Sequence, residues 1–287
     1  MGTPFLRWVG GKRKLAVPIT TLLGVAPGFA GTYHEPFLGS GALAFHLLGL
    51  DPRLCCQLSD TCRPLMAAWV QVQDDVAALE DRLTKMQAAY RSDPFNTYVA
   101  IRAGKPMSQL GRAAWMVFLN RTGFNGMYRV NKSGGFNVPW GKNPDVDVVG
   151  ADRLRAAAGL LRGDVSLHQR DYAMSMPKAV AGDVVYCDSP YAPAARASAG
   201  FTAYTPGGFT YEDQVGLAHC AKRLIDRGAR VVLSNHDTAV VRDLYPCADG
   251  WTIDRIGEAR SINSDGAGRG KVPALLIHGG PMPLCGG

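Results

Sequence analysis

Asp188-Ser189-Pro190-Tyr191 puts a carboxylate, a backbone carbonyl and an aromatic ring within four residues. A carboxylate and a carbonyl accept the hydrogens of an exocyclic amine, and a ring stacks on the heterocycle that carries it. The tetrapeptide ends an apolar run, Val184-Val185-Tyr186-Cys187, that reads as a buried parallel strand. Upstream, Glu35-Pro36-Phe37-Leu38-Gly39-Ser40-Gly41 is a glycine-rich turn between a strand and a helix, where Gly39 and Gly41 let a ligand approach the backbone. It departs from G-x-G-x-x-G, which weakens a pyrophosphate reading. Nineteen residues after Gly41, Asp60 closes a second strand, where an acid can accept both ribose hydroxyls of an adenosine. Asp171-Tyr172 closes a third, an acid and a ring that can hold an adenine. Before the first strand lies Phe5-Leu6-Arg7-Trp8-Val9-Gly10-Gly11-Lys12. Its glycine turn can cap a zwitterionic ligand, with Lys12 on a carboxylate and Trp8 over an apolar chain; alone, it reads equally as a basic arm.

These elements together imply an adenosine-type ligand beside an amine-gripping turn. S-adenosylmethionine paired with an amino group accounts for both, whereas a nicotinamide cofactor explains only the first. Ser234-Asn235-His236-Asp237 lacks a nucleophile elbow and has its acid and histidine adjacent, so it reads as a structural turn. His46 and His219 stand alone on helices and read as packing or surface residues.

The positioning elements follow from periodicity. Short apolar runs at 32–35, 54–58, 165–168, 184–187, 231–234, 251–256 and 272–277 predict seven strands. Helical patterns at 42–48, 153–161, 212–227 and 238–244 alternate with them, which predicts a doubly wound α/β sheet, mostly parallel. The short connection between the last two strands predicts an antiparallel pair at the sheet edge. Residues 63–150 interrupt the alternation. Leu65, Trp69, Val72, Val76, Leu79, Leu83, Met86 and Tyr90 recur at helical spacing, with a break expected at Asp74-Asp75 and a second helix over 108–121. A Gly- and Asn-rich stretch follows, with Lys132-Ser133-Gly134-Gly135 as a hairpin turn. The expected organisation is a catalytic domain of 1–62 and 151–287 with an inserted helical subdomain, 63–150, bearing a β-hairpin.

Composition narrows the class. The 287 residues are 47% hydrophobic and 19% charged, ordinary for a globular chain. No apolar stretch reaches the length of a membrane span, and the first residues lack a secretory pattern. None of the seven cysteines forms a C-x-x-C pair, so neither a disulfide framework nor a metal site is expected, and a reducing cytoplasm is. The net charge is +7, and seven Lys or Arg residues but no acid fall between Arg102 and Lys142, interleaved with aromatic residues. That pattern suits a polyanion surface.

The chain resembles the Dam family of DNA adenine N6-methyltransferases over nearly its whole length. The resemblance rests on the N-terminal stretch from Phe5 to Lys12 and on the Glu35–Gly41 turn, both quoted above. It continues through Asn120-Arg121-Thr122-Gly123-Phe124-Asn125-Gly126-Met127-Tyr128-Arg129 and Phe136-Asn137-Val138-Pro139-Trp140-Gly141. The last matches are the Asp188 tetrapeptide, Phe201-Thr202-Ala203-Tyr204 and Ser234-Asn235-His236-Asp237. The resemblance implies a Rossmann-like methyltransferase fold and a target-recognition role for the insertion. It implies S-adenosylmethionine bound by Trp8, Gly11, Lys12, Glu35, Phe37, Gly39, Gly41, Asp60, Asp171, Tyr172 and Asp188. It implies double-stranded DNA, usually at GATC, contacted by Arg7, Asn125, Met127, Arg129 and Pro139; the acid-free stretch adds Lys132 as an expected phosphate contact. Asp188, Ser189, Pro190 and Tyr191 would hold a flipped-out adenine for direct methyl transfer, with no metal and with the chain acting as a monomer. The family usually has Asp-Pro-Pro-Tyr; Ser189 keeps the carbonyl but not proline's fixed φ.

Overall fold

A computed structural model of the chain describes residues 4–8, 10–192, 208–260 and 271–283. The Phe201-Thr202-Ala203-Tyr204 motif lies outside the described residues. Seven strands of the described chain form one sheet: β1 (Tyr33–Glu35), β2 (Cys56–Asp60), β3 (Val165–Gln169), β4 (Val184–Cys187), β5 (Arg230–His236), β6 (Trp251–Arg260) and β7 (Lys271–Gly279). Their order is β3-β2-β1-β4-β5-β7-β6. The pairings from β3 across to β5 are parallel, and β7 runs antiparallel to both of its neighbours. The expected antiparallel pair is therefore present, with β7 between β5 and β6 and β6 at the edge.

The strand alternation builds two cores. Val184 and Tyr186 of β4 face one core with Val232 of β5 and Leu276 of β7. Val185 and Cys187 face the other with Val231, Leu233, Leu275 and Ile277. Helix α1 (Ala16–Leu23) precedes β1, and α2 (Ala42–Leu50) joins β1 to β2. Between β2 and β3 come α3 (Arg63–Asp74), α4 (Val76–Ser92), α5 (Pro94–Ala103), α6 (Gln109–Thr122) and α7 (Ala151–Leu160). The short α8 (Tyr172–Ser175) links β3 to β4, α9 (Tyr211–Asp226) precedes β5, and α10 (Ala239–Leu244) follows it.

The break expected at Asp74-Asp75 is a junction between α3 and α4, where the Asp75 carboxylate accepts from Ala78 N and caps the new helix. Helix α5 has no counterpart among the expectations, because only Tyr98 of it is buried and its periodicity is weak; Asp93 and Pro94 supply its start instead. The insertion does not have a core of its own: Leu65, Trp69 and Leu119 share one apolar cluster with Phe45, Leu58 and Tyr186. The hairpin over 123–141 is a sparse one, with bridges at Gly123–Trp140 and Val130–Phe136 in place of a continuous ladder. Asn125 and Gly126 both adopt positive φ, which interrupts regular pairing at its root.

Strand order reverses at β1 and β4. From β1 the chain moves outward to β2 and β3, then returns to lay β4 on the opposite side of β1. Loops leaving the carboxyl ends of such neighbours diverge to opposite faces and open a crevice between them. The Glu35–Gly41 turn leaves β1 there, and Asp188–Tyr191 leaves β4.

Candidate active site

Helix α3 fixes the glycine turn. The Trp69 indole donates to Gly39 O at 3.1 Å, and its ring stacks on Phe45 at 4.9 Å. Gly39 and Gly41 take φ of 49° and 61°. A Cβ on Gly41 would come within 2.4 Å of the Trp69 ring, and one on Gly39 within 2.8 Å of Trp8, so both positions need glycine for shape as well as for conformation. Asp60 meets this turn: one carboxylate oxygen accepts Gly39 N at 3.0 Å and the other Cys62 N at 2.9 Å. Burial raises the Asp60 pKa, against the pull of those N–H groups. Trp8 stacks on Tyr128 at 5.8 Å, joining the N-terminal stretch to the hairpin. Gly11 approaches the same turn, its Cβ direction pointing toward Ser40.

Glu35 is 3% exposed and accepts a hydrogen bond from the Tyr33 hydroxyl at 2.8 Å. Burial pushes its carboxyl up to about 8, so it stays protonated at neutral pH. Phe37 stacks on Tyr172 at 5.5 Å and meets Phe209 edge-on at 5.9 Å. The Asp171 carboxylate caps α8 by accepting from Ala173 N.

Across the crevice, Lys12 reaches Asp188. Its ammonium lies 2.8 Å from one carboxylate oxygen and 3.0 Å from the other, donates to Gly10 O at 2.8 Å, and stands 4.8 Å from the centre of the Tyr191 ring. Burial works against this charge, but Asp188 and Tyr191 outweigh it and hold the Lys12 pKa above the ordinary lysine range. The sequence paired Lys12 with a ligand's carboxylate; in the structure the carboxylate it meets is that of Asp188. Ser234 donates to Asp188 Oδ1 at 2.7 Å and shares a 3.1 Å contact with the Tyr186 hydroxyl. Ser189 is buried, and Pro190 O accepts from Gln214 at 2.7 Å. His236 packs edge-on against Tyr191 at 4.7 Å.

The residues named for DNA gather at the hairpin. Asn120, 1% exposed, accepts from Arg7 N at 2.8 Å and donates to Arg7 O at 2.7 Å and Gly126 O at 2.9 Å. Arg7, Asn125, Arg129, Lys132 and Pro139 are exposed, and Met127 is half-buried. The Arg129 guanidinium is braced on Asn137 by bonds of 2.7 and 3.2 Å. The basic stretch is not uniformly a surface. Arg121 is 6% exposed, donates to Phe5 O at 3.0 Å, and is lowered to about 10 by burial. Its guanidinium ties the N-terminal stretch to α6 instead of facing solvent.

Gln214 went unseen in the sequence, and Ser234, Asn235 and Phe124 entered it only as members of quoted stretches, with no role of their own. Ser234, Asn235 and Gln214 support the Asp188 turn, and their signal is weak because β5 becomes a neighbour of β4 only in the folded sheet. Phe124 is 47% exposed beside Asn125.

A doubly wound sheet with a glycine turn and an acidic-aromatic turn facing each other across its switch point belongs to the Rossmann-like methyltransferase class. The profile of the D12 class N6 adenine-specific DNA methyltransferases matches residues 8–258, and the chain belongs to that family. It is 33% identical over 281 residues to the type II methyltransferase M1.LlaDCHI of Lactococcus lactis subsp. cremoris, covering 96% of this chain and 94% of that one. It is 32% identical over 280 residues to the type II methyltransferase M.MjaIII of Methanocaldococcus jannaschii, covering 92% and 93%. It is 32% identical over 279 residues to the DNA adenine methylase of Escherichia coli K12, covering 95% and 93%. The chain is thus an adenine-specific DNA methyltransferase. Among the described residues no helix is long and apolar enough to cross a membrane, and no cluster of His, Cys, Asp and Glu has the makeup of a metal site.

Proposed function

We propose that the chain transfers the methyl group of S-adenosylmethionine to N6 of an adenine flipped out of duplex DNA, at GATC. The observation that carries this reading is the meeting of the Asp188 turn and the glycine turn across the β1/β4 crevice. The residues present fit the cofactor. Gly39 and Gly41 leave the backbone bare at the crevice, and each Asp60 oxygen, though holding one N–H, keeps a lone pair for a ribose hydroxyl. Lys12 is the ammonium at the crevice; it holds Asp188 and Gly10 O with its three N–H donors, and would have to leave Asp188 to meet the carboxylate of the cofactor. The cofactor supplies an electrophilic methyl group.

The chain's own residues prepare the nucleophile. The N6 lone pair of adenine is delocalised into its ring. Hydrogen bonds from N6 to Asp188 and to the Ser189 carbonyl pull density back onto nitrogen. Tyr191 stacks on the base and fixes its plane. Attack in line with the methyl group is blocked inside the stacked duplex, so the adenine must leave it. Phe124, exposed beside Asn125, is an apolar wedge for the opened stack. The subdomain 63–150 reads the site. Arg129 retains three N–H donors beyond those on Asn137, enough for O6 and N7 of a guanine.

Transfer of labelled methyl groups to duplexes containing GATC or single-pair variants tests the reading. Labelling of GATC with S-adenosylmethionine, and loss with each altered pair, is expected. Equal labelling of all duplexes would refute the GATC assignment, and failure to bind S-adenosylmethionine would refute the cofactor.

A further inference from the structure

The turn that carries Tyr191 is gripped from outside by two buried amides. Gln214 on α9 and Asn235 at the end of β5 are each 2% exposed. Asn235 Oδ1 accepts from Ala192 N at 2.9 Å and from His236 N at 2.9 Å. Two N–H groups on one atom require it to be oxygen, so the Asn235 nitrogen is the atom facing Gln214. It donates to Gln214 Oε1 at 3.1 Å, which in turn directs the Gln214 nitrogen at Pro190 O, 2.7 Å away. Each amide's orientation is fixed by the one before it. The relay ends on the two residues that flank Tyr191.

We propose that Gln214 and Asn235 are positioning residues for methyl transfer: their locked amide pair holds Pro190 and Ala192 and so aims the Tyr191 ring and the Ser189 carbonyl at the target base. Ser189 lacks the ring that would stiffen the turn from within, and buried hydrogen bonds from α9 and β5 provide the constraint instead. The relay touches neither the glycine turn nor Asp60, so it acts on the base and not on the cofactor. This inference rests on the reading of residues 188–191 as the catalytic turn.

Gln214→Met keeps the length of the side chain and deletes both polar atoms. In single-turnover assays with saturating DNA and cofactor, its methyl-transfer rate is expected to fall about tenfold or more, since small misplacements of reacting groups cost rates of this order. Cofactor affinity by calorimetry should stay within twofold of wild type. Gln214→Glu gives a second, chemically specific reading, and it covers the case in which the Met variant fails to fold. Ionised, the introduced carboxylate presents an acceptor to Pro190 O; protonated, it again presents a donor. The rate of this variant relative to wild type should therefore rise as pH falls from about 9 to 6, because burial keeps such a carboxyl's titration in the neutral range. A pH-independent ratio, a Met variant within twofold of wild-type rate, or a parallel loss of cofactor affinity would overturn the proposal. Asp188→Ala separates the two layers. If that variant is inactive while both Gln214 variants behave as wild type, only the relay assignment fails; if it remains active, the catalytic turn itself is misassigned.

Discussion

At the scale of single residues, the crevice holds two acids that burial shifts the same way but that have different partners. Asp60 lies in a nest of backbone N–H groups, whereas Glu35 lies under Tyr33 with its carboxyl pushed up to about 8 by burial. The second has a thermodynamic signature. The folded chain keeps a proton on Glu35 that the unfolded chain has released above its ordinary value of 4.5. Its contribution is therefore fully present below that value and is lost as pH rises toward 8. A pKa unit corresponds to about 1.4 kcal/mol, so the loss is of the order of a few kcal/mol. Urea titrations between pH 5 and 8 should show a falling stability that Glu35→Gln flattens; an identical slope in the variant would assign the pH dependence elsewhere. Asp60 should act on the cofactor. Hydrogen bonds to charged groups contribute about 1.5–3 kcal/mol, so Asp60→Ala should weaken S-adenosylmethionine binding roughly tenfold or more by calorimetry. Unchanged affinity would remove it from the ribose.

At the scale of elements, much of the scaffold was legible before folding. The β4 run is readable at its observed limits because four consecutive apolar residues between Asp183 and Asp188 leave little else possible. The junction at Asp75 was legible from two adjacent acids. What the chain order hides is sheet order: β7 returns between β5 and β6, and β5 brings Ser234 and Asn235 against β4, contacts that depend on strands more than 40 residues apart. Charge patterning also overreached at Arg121, since a run without acids does not say which cations are inward. The hairpin yields the specificity prediction. Arg129, exposed and braced on Asn137, is the proposed reader of guanine. Arg129→Ala should relax discrimination at the last GATC pair by roughly 1–3 kcal/mol, and leave the choice of adenine unaltered. Rates on GATC and on sites changed only at that pair measure this. An equal loss on every site would make Arg129 a phosphate anchor.

At the scale of the whole molecule, the net charge is +7, and the stretch from Arg102 to Lys142 holds seven cations and no acid. Lys105, Arg129, Lys132 and Lys142 are exposed along the insertion, and Arg7 joins them at the hairpin root. DNA affinity should fall linearly with salt on a logarithmic scale. Lys132→Ala, with its charge at the hairpin tip, should weaken all sequences alike and lower the salt slope; a flat salt response would show that this face does not meet phosphate.

The Asp188 turn, set across the switch point from the glycine turn, is the proposed seat of methyl transfer to N6 of adenine. The most direct measurement is mass spectrometry of nucleosides from duplex DNA incubated with S-adenosylmethionine and either the wild-type chain or Asp188→Ala. Losing a positioned partner for developing charge typically costs about 100-fold or more in rate. The wild type should therefore yield N6-methyladenine, and the variant, while still binding the cofactor, essentially none. N4-methylcytosine as the product, or N6-methyladenine from the variant at more than about a tenth of the wild-type rate, would contradict the account.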